Sequence, residues 1–188
     1  MGKKIAIAIP TNRGFKPKCL DSILKMLAHT KEECVPIVAT EGFNTAENRT
    51  WLVAQASKQD CTHIFFLDDD MVYEPGTLDV LLKHDKDVIG ATYANRRGDG
   101  VVTGFREDVK ESKSKPFKVV ALGGGCMLVN MKVFEKIGKP WFWYDVAKEG
   151  FVVMSNDWWF CGRAYDANID VWVEPKIHPK HIGKKEYA

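Results

Sequence analysis

Four short apolar runs, separated by stretches of helical periodicity, constrain this chain more than any other feature of its sequence. Ile5 to Ile9 is ended by Pro10, Val35 to Ala39 by polar residues, and His63 to Leu67 by three aspartates; Val88 to Tyr93 closes the series. Runs of this length, apolar at successive positions, read as strands buried on both faces. Between them, Leu20, Ile23, Leu24 and Leu27 recur at helical spacing after Pro17. Asn44 followed by Glu47 resembles a capping box and opens a second helix carrying Val53 and Ala54. Pro75 starts a third, with Leu78, Leu81 and Leu82. Such alternation implies right-handed crossovers and a mainly parallel sheet flanked by helices, an α/β class. Ligands of these sheets bind beyond the carboxyl ends of the strands. The loops leaving those ends carry Thr11, Asn12 and Arg13, then Glu41, then Asp68, Asp69 and Asp70, so three polar loops are expected to converge on one edge.

The second half is less regular. Gly98 to Arg106 reads as an exposed turn and strand, and Glu107 to Lys115 as a mobile charged loop. Val119 to Leu122 is a strand running into Gly123-Gly124-Gly125. Asn130 is placed to cap a short helix through Val133, Phe134 and Ile137, stopped by Gly138 and Pro140. Ser155 is placed to cap another, reaching about Asn168, before a last strand from Ile169 to Val173. Trp141, Phe142, Trp143 and Tyr144 are consecutive, and neither helix nor strand can bury all of them.

Bulk properties exclude several classes. Hydrophobic residues make up 45% and charged residues 28%, the balance of a globular protein, and a net charge of +2 offers no strong footprint for nucleic acid. No run approaches the ~20 apolar residues of a membrane span. Five cysteines without any Cys-x-x-Cys pair read as buried thiols in a reducing compartment, which predicts a cytoplasmic protein. Neither Gly-x-Gly-x-x-Gly nor a Walker A loop follows the first strand, which reads Pro10-Thr11-Asn12-Arg13-Gly14.

Asp68-Asp69-Asp70 carries the chemistry. Three adjacent carboxylates repel one another unless cations or hydrogen-bond donors compensate. An acidic helix cap accounts for one of them, not three. A hard divalent cation, Mn2+ or Mg2+, takes one or two carboxylates plus substrate phosphates, and would bridge the diphosphate of a nucleotide donor.

Four stretches, spanning roughly Ile5 to Gly183, together resemble family 2-like glycosyltransferases of the GT-A fold. Ile5 to Thr11 is similar to the opening strand and nucleoside-contacting loop. Thr62 to Met71 is similar to the Asp-x-Asp metal motif with its preceding strand. Gly124 to Val129 with Val133 to Gly138 resembles the acceptor-side strand and helix. Asn156-Asp157-Trp158-Trp159-Phe160-Cys161-Gly162-Arg163-Ala164 is similar to the Glu-Asp-x-x-Phe-x-x-Arg-Ala segment that holds the base.

The resemblance implies one GT-A catalytic domain over 1–188, Rossmann-like, with a mixed, mostly parallel sheet. Residues 1–97 would bind nucleotide-sugar and metal, and 98–188 the acceptor. It implies metal-dependent, inverting transfer of a sugar from a UDP- or GDP-sugar to a carbohydrate or other hydroxyl acceptor. Asp157 would be the base. Thr11, Asn12, Arg13, Glu41, Asp68 and Asp69 would meet the donor, and Asp68, Asp70 and His181 the metal, with His178 competing for the last place. Arg96 or Arg97 would pair with donor phosphates, and Arg163 would brace an acidic loop. The aromatic cluster would leave at least one ring at the acceptor entrance. Ala46-Glu47-Asn48-Arg49 departs from the Ala-Arg-Asn common in the family, which puts donor contacts from that helix in question, and Asn156 stands where Glu is commoner. A non-catalytic nucleotide- or carbohydrate-binding protein on the same scaffold is the alternative. An Asp-nucleophile phosphatase fits Leu67 to Val72, but a later Gly-Asp-x-x-x-Asp is missing and the motif follows the third strand, not the first.

Overall fold

Ile5, Ala6, Ile7 and Ala8 are wholly buried, as a strand covered on both faces requires. The computed structural model describes residues 2–40, 42, 44–94, 103–104 and 111–183. Strand β1 (Lys4–Pro10) pairs in parallel with β2 (Glu33–Ala39) on one side and β3 (His63–Leu67) on the other. The remaining main-sheet strands are β4 (Val88–Gly90), β5 (Phe117–Val119), β6 (Cys126–Asn130) and β7 (Val171–Val173). Among the described residues the seven run in the order β2-β1-β3-β6-β4-β7-β5. β6 is antiparallel to both β3 and β4, β7 is parallel to β4, and β5 is antiparallel to β7. The sheet is therefore mixed but mostly parallel in its first half.

The helices are α1 (Pro17–His29), α2 (Thr45–Lys58), α3 (Thr77–Lys83), α4 (Lys132–Ile137) and α5 (Asn156–Asp166). Side-chain alternation along β1 sorts them into two layers. Ile5, Ile7 and Ile9 face a core with Cys19, Ile23 and Met26 of α1 and Leu78 and Leu81 of α3. Ala6 and Ala8 face the other core, with Leu52 and Val53 of α2 and Phe160 of α5. Phe66 and Phe142 fill that side, their ring centroids 5.4 Å apart, and Phe142 stacks on Phe160 at 5.1 Å. Each such buried side chain contributes about 1.5–3 kcal/mol.

Several elements differ from the sequence reading. β2 is a sheet edge, with only Ile37 and Ala39 buried, and not a strand covered on both faces; Pro36 cannot donate to a ladder and belongs at an edge. α1 turns Cys19, Ile23 and Met26 inward and leaves Leu20 and Leu24 exposed, because two neighbouring stripes of the helix are both apolar. α3 starts two residues after Pro75, β4 stops at Gly90, and β7 starts at Val171. The strand read from Val119 to Leu122 is broken at Val120: β5 ends at Val119, and Ala121–Leu122 pairs with Thr103–Gly104. Most of Gly98 to Arg106 and the first four residues of Glu107 to Lys115 lie outside the described residues. A hairpin of Asp145–Val146 and Val152–Met154 leaves the body between Tyr144 and Ser155, its strands exposed throughout. No helix among the described residues is long and apolar enough to cross a membrane.

Candidate functional site

The carboxyl ends of β1 and β3 and the start of α5 open on one cleft of about 1140 Å3. Thr11, Asn12, Arg13, Asp68, Asp69, Asp70, Asn156 and Asp157 all line it. Glu41, Arg96 and Arg97 lie outside the described residues.

Each aspartate of the triplet meets different partners. Asp69 accepts a short hydrogen bond from the Thr11 hydroxyl, and its carbonyl accepts from the Lys16 N–H at 3.2 Å, tying the β1 loop to the β3 loop. Asp70 is buried and points toward His181, its Oδ1 4.0 Å from Nε2. Asp68 lies 3.4 Å from Arg49 Nη2. Burial raises the Asp68 carboxyl above the ordinary carboxylate value; Arg49 opposes this, while Asp157 and Asp70 add to it.

His181 reaches the cluster through chain pairing. Lys180–His181 runs antiparallel to Met71–Val72, directly after the triplet, with His181 opposite Met71. His181 Nδ1 lies 2.6 Å from the Ala94 carbonyl, which can only accept, so Nδ1 bears a proton and Nε2 is the ring atom that faces Asp70. The ring stands edge-on to Tyr93 at 5.2 Å. One ligand atom each from Asp68, Asp70 and His181 lies within 4.8 Å of the others, a set able to hold a metal ion. Two carboxylate oxygens with one oriented imidazole suit a hard or borderline divalent cation. His178 is exposed and lies outside this group.

Asp157 sits in the first turn of α5. Its Oδ2 accepts from the Gly124 N–H at 2.9 Å, and its Oδ1 from the Trp158 N–H at 3.0 Å and, in a short hydrogen bond, from the Ser155 hydroxyl. Ser155 thus stands at the helix start but caps no backbone N–H itself. Arg163 donates to the Ile137 carbonyl at the end of α4, and no acidic partner of it is seen among the described residues. Of the aromatic run, Phe142 is buried, Tyr144 lines the cleft, and Trp143 is exposed beside a neighbouring apolar groove.

Residues that the sequence reading did not assign complete the site. Arg49 of α2 is buried beneath Asp68 and Asp157 and donates to Asn156 Oδ1 at 2.6 Å. Asn48 donates to Asn12 Oδ1 at 2.9 Å and accepts from the Gly42 N–H at 2.8 Å, joining the loops after β1 and β2. Gly125 is gripped through both of its backbone groups: its N–H donates to Tyr93 Oη and its carbonyl accepts from the Tyr73 hydroxyl, each at 2.7 Å. A Cβ on Gly125 would lie 2.6 Å from Tyr93 Oη and 2.7 Å from Asp68 Oδ2, so a side chain here would displace both.

No family model and no curated protein matches the chain. Solved structures do. A197 from STIV superposes with a TM-score of 0.65 at 18% identity, covering 96% of this chain and 85% of that one. GalNAc-T7, solved with UDP, GalNAc and Mn2+, gives 0.57 at 11% identity over 99% of this chain. S. aureus TarS 1–349, in complex with UDP-GlcNAc, gives 0.57 at 15% over 98%. The chain spans 45% of the length of the second structure and 60% of the third. At these identities the likeness speaks for architecture, and the architecture of this chain is the GT-A fold of the glycosyltransferases.

Proposed function

We propose that this protein is a metal-dependent glycosyltransferase, moving a sugar from a UDP- or GDP-sugar to a carbohydrate or other hydroxyl acceptor with inversion. One observation carries the reading: Asp68, Asp70 and His181 can share an ion at a cleft whose wall also bears Asp157. Asp68, Asp70 and His181 would hold the ion, Mn2+ or Mg2+. The ion, when bound, supplies positive charge against the diphosphate leaving group.

The chain's own residues do the rest. Thr11, Asn12 and Arg13 line the nucleoside end, with Asp68 and Asp69 beside them and Glu41 assigned to the same end from the sequence. Asp69, bonded to Thr11, keeps the two loops in register. Asp157 is the base. A carboxylate offers about four acceptor sites, and Gly124, Ser155 and Trp158 occupy three at Asp157. The fourth takes the proton of the attacking hydroxyl, and the other three aim it. Residues 1–97 supply the donor half and 98–188 the acceptor half of one catalytic domain, with His181 crossing back to the first. Five unpaired cysteines support work in the cytoplasm.

The same three hydrogen bonds favour a second reading, a non-catalytic nucleotide- or carbohydrate-binding protein in which Asp157 only caps α5. Incubation with Mn2+ and a panel of nucleotide sugars separates the two. The enzyme releases nucleoside diphosphate, and Asp157→Asn at saturating Mn2+ keeps donor binding but loses release. Donor binding with no release by the wild-type protein, for any donor or acceptor tried, would favour the second.

A further inference from the structure

Arg49 is 3% exposed, and a buried guanidinium cannot shed its charge. Its surroundings come from separate parts of the chain. Nη1 donates to Asn156 at 2.6 Å and lies 3.7 Å from Asp157 Oδ2, both on α5. Nη2 lies 3.4 Å from Asp68 Oδ1 at the end of β3. Cζ stands 5.9 Å from the centroid of the Phe142 ring, and a Cβ on Gly124 would fall 2.2 Å from Nη2, so the Gly124 backbone closes against the group. Nε has no hydrogen-bond partner among the described residues. The contact with Asn156 is short and the one with Asp68 long, so the guanidinium is anchored on α5 and only loosely held by Asp68.

We infer that Arg49 is the resident counter-cation of the site: it neutralises Asp68 and Asp157 in the metal-free protein and competes with the divalent ion for Asp68. The inference rests on the metal reading given above and adds a residue and a regulation to it. Without an internal cation, Asp68, Asp70 and Asp157 would leave a cluster of carboxylates facing one cleft, repelling one another whenever no ion is bound. With Arg49 present the protein stays folded between metal-loading events, and its affinity for the ion is held down. The trade is reciprocal, because whatever Arg49 contributes to Asp68 must be given up when the ion takes that carboxylate. Arg49 is in this sense a positioning residue, touching ligand and base without a place in the reaction.

The test is Mn2+ binding by calorimetry together with melting temperatures in metal-free buffer. Arg49→Met fills the space beside Phe142 without charge. It is expected to melt lower than the wild type without metal, to bind Mn2+ at least about tenfold more tightly, and to gain more in melting temperature from Mn2+. Arg49→Gln, neutral but still able to hydrogen-bond Asn156, carries the same comparison if the methionine variant does not fold. Arg49→Lys keeps the charge and is expected to bind Mn2+ within about threefold of wild type. A packing role alone lowers stability in all three and leaves Mn2+ affinity unchanged or weaker. That result, with the wild type binding normally, overturns the inference and spares the metal reading. No Mn2+ binding by the wild type removes both.

Discussion

Replacing Tyr93 by Phe deletes one oxygen, and the structure says what that oxygen does. Tyr93 is 5% exposed, and its Oη accepts the Gly125 N–H at 2.7 Å. No other acceptor of that N–H is seen among the described residues, so Tyr93→Phe strands a buried donor. The cost of such a group is about 1–3 kcal/mol. Tyr73→Phe is the control at the other backbone group of the same glycine. The Gly125 carbonyl loses the Tyr73 hydroxyl at 2.7 Å but keeps the Asp68 N–H at 3.3 Å, and the Asp68 carbonyl, 3.1 Å from the same hydroxyl, keeps the Cys19 thiol at 3.5 Å, so neither is left bare. That loss should be nearer the net value of an ordinary hydrogen bond, about 0.5–1.5 kcal/mol. Urea denaturation without metal measures both, read as midpoint shifts at constant slope. Because the Gly125 carbonyl also accepts from the Asp68 N–H, Tyr93→Phe should weaken Mn2+ binding as well. A Tyr73→Phe penalty equal to or larger than that of Tyr93→Phe would refute the reasoning.

Other outcomes follow from the same geometry. Phe142→Ala removes the ring that meets Phe66, Phe134 and Phe160 and should destabilise by about 3–5 kcal/mol in the same assay. His63 is 8% exposed, and burial, with Lys3 nearby, lowers its pKa below the ordinary 6.5. The unfolded chain then binds a proton that the folded chain refuses. Its contribution is whole above 6.5 and is lost as pH falls from there through the lowered folded value. His63→Gln should flatten the stability profile in that window, measured by melting across pH. Burial pushes the Cys161 thiol up to about 12 and leaves Cys34 the half-exposed cysteine. Native-state alkylation followed by mass spectrometry should therefore label Cys34 first and Cys161 only on unfolding.

Much of the fold is written locally. Uninterrupted apolar runs and caps place β1, β3 and α2, and Asn44 does cap α2, with the Glu47 N–H 3.0 Å from Asn44 Oδ1 and Asn44 Nδ2 donating to Glu47 Oε1 at 3.2 Å. The insertion of β6 between β3 and β4 is not local, since any apolar run of five residues could have taken that place. Pro36 did mark β2 as an edge, a signal outweighed by the apolar residues around it. At the site, Asp68 to Asp70 and Asp157 are visible because acidic residues stand where strands end and a helix begins. Arg49 is hidden in the sequence because the cap at Glu47 accounts for the same segment locally. The clue was its spacing: three and four residues before Leu52 and Val53, it shares their buried face, and an arginine there needs carboxylates from elsewhere. Tyr73 and Tyr93 left no signal, because a tyrosine in an apolar run does not say which peptide its hydroxyl will hold.

The central claim is that Asp68, Asp70 and His181 together grip a divalent ion that a nucleotide diphosphate can share. Electron paramagnetic resonance of Mn2+, titrated with protein and then with UDP or GDP, addresses it without requiring turnover. Loss of the free-ion signal with wild-type protein, strengthened by one of the nucleotides and abolished in Asp70→Asn and His181→Ala, is the predicted result. Equal binding of Mn2+ by wild type and Asp70→Asn would contradict it.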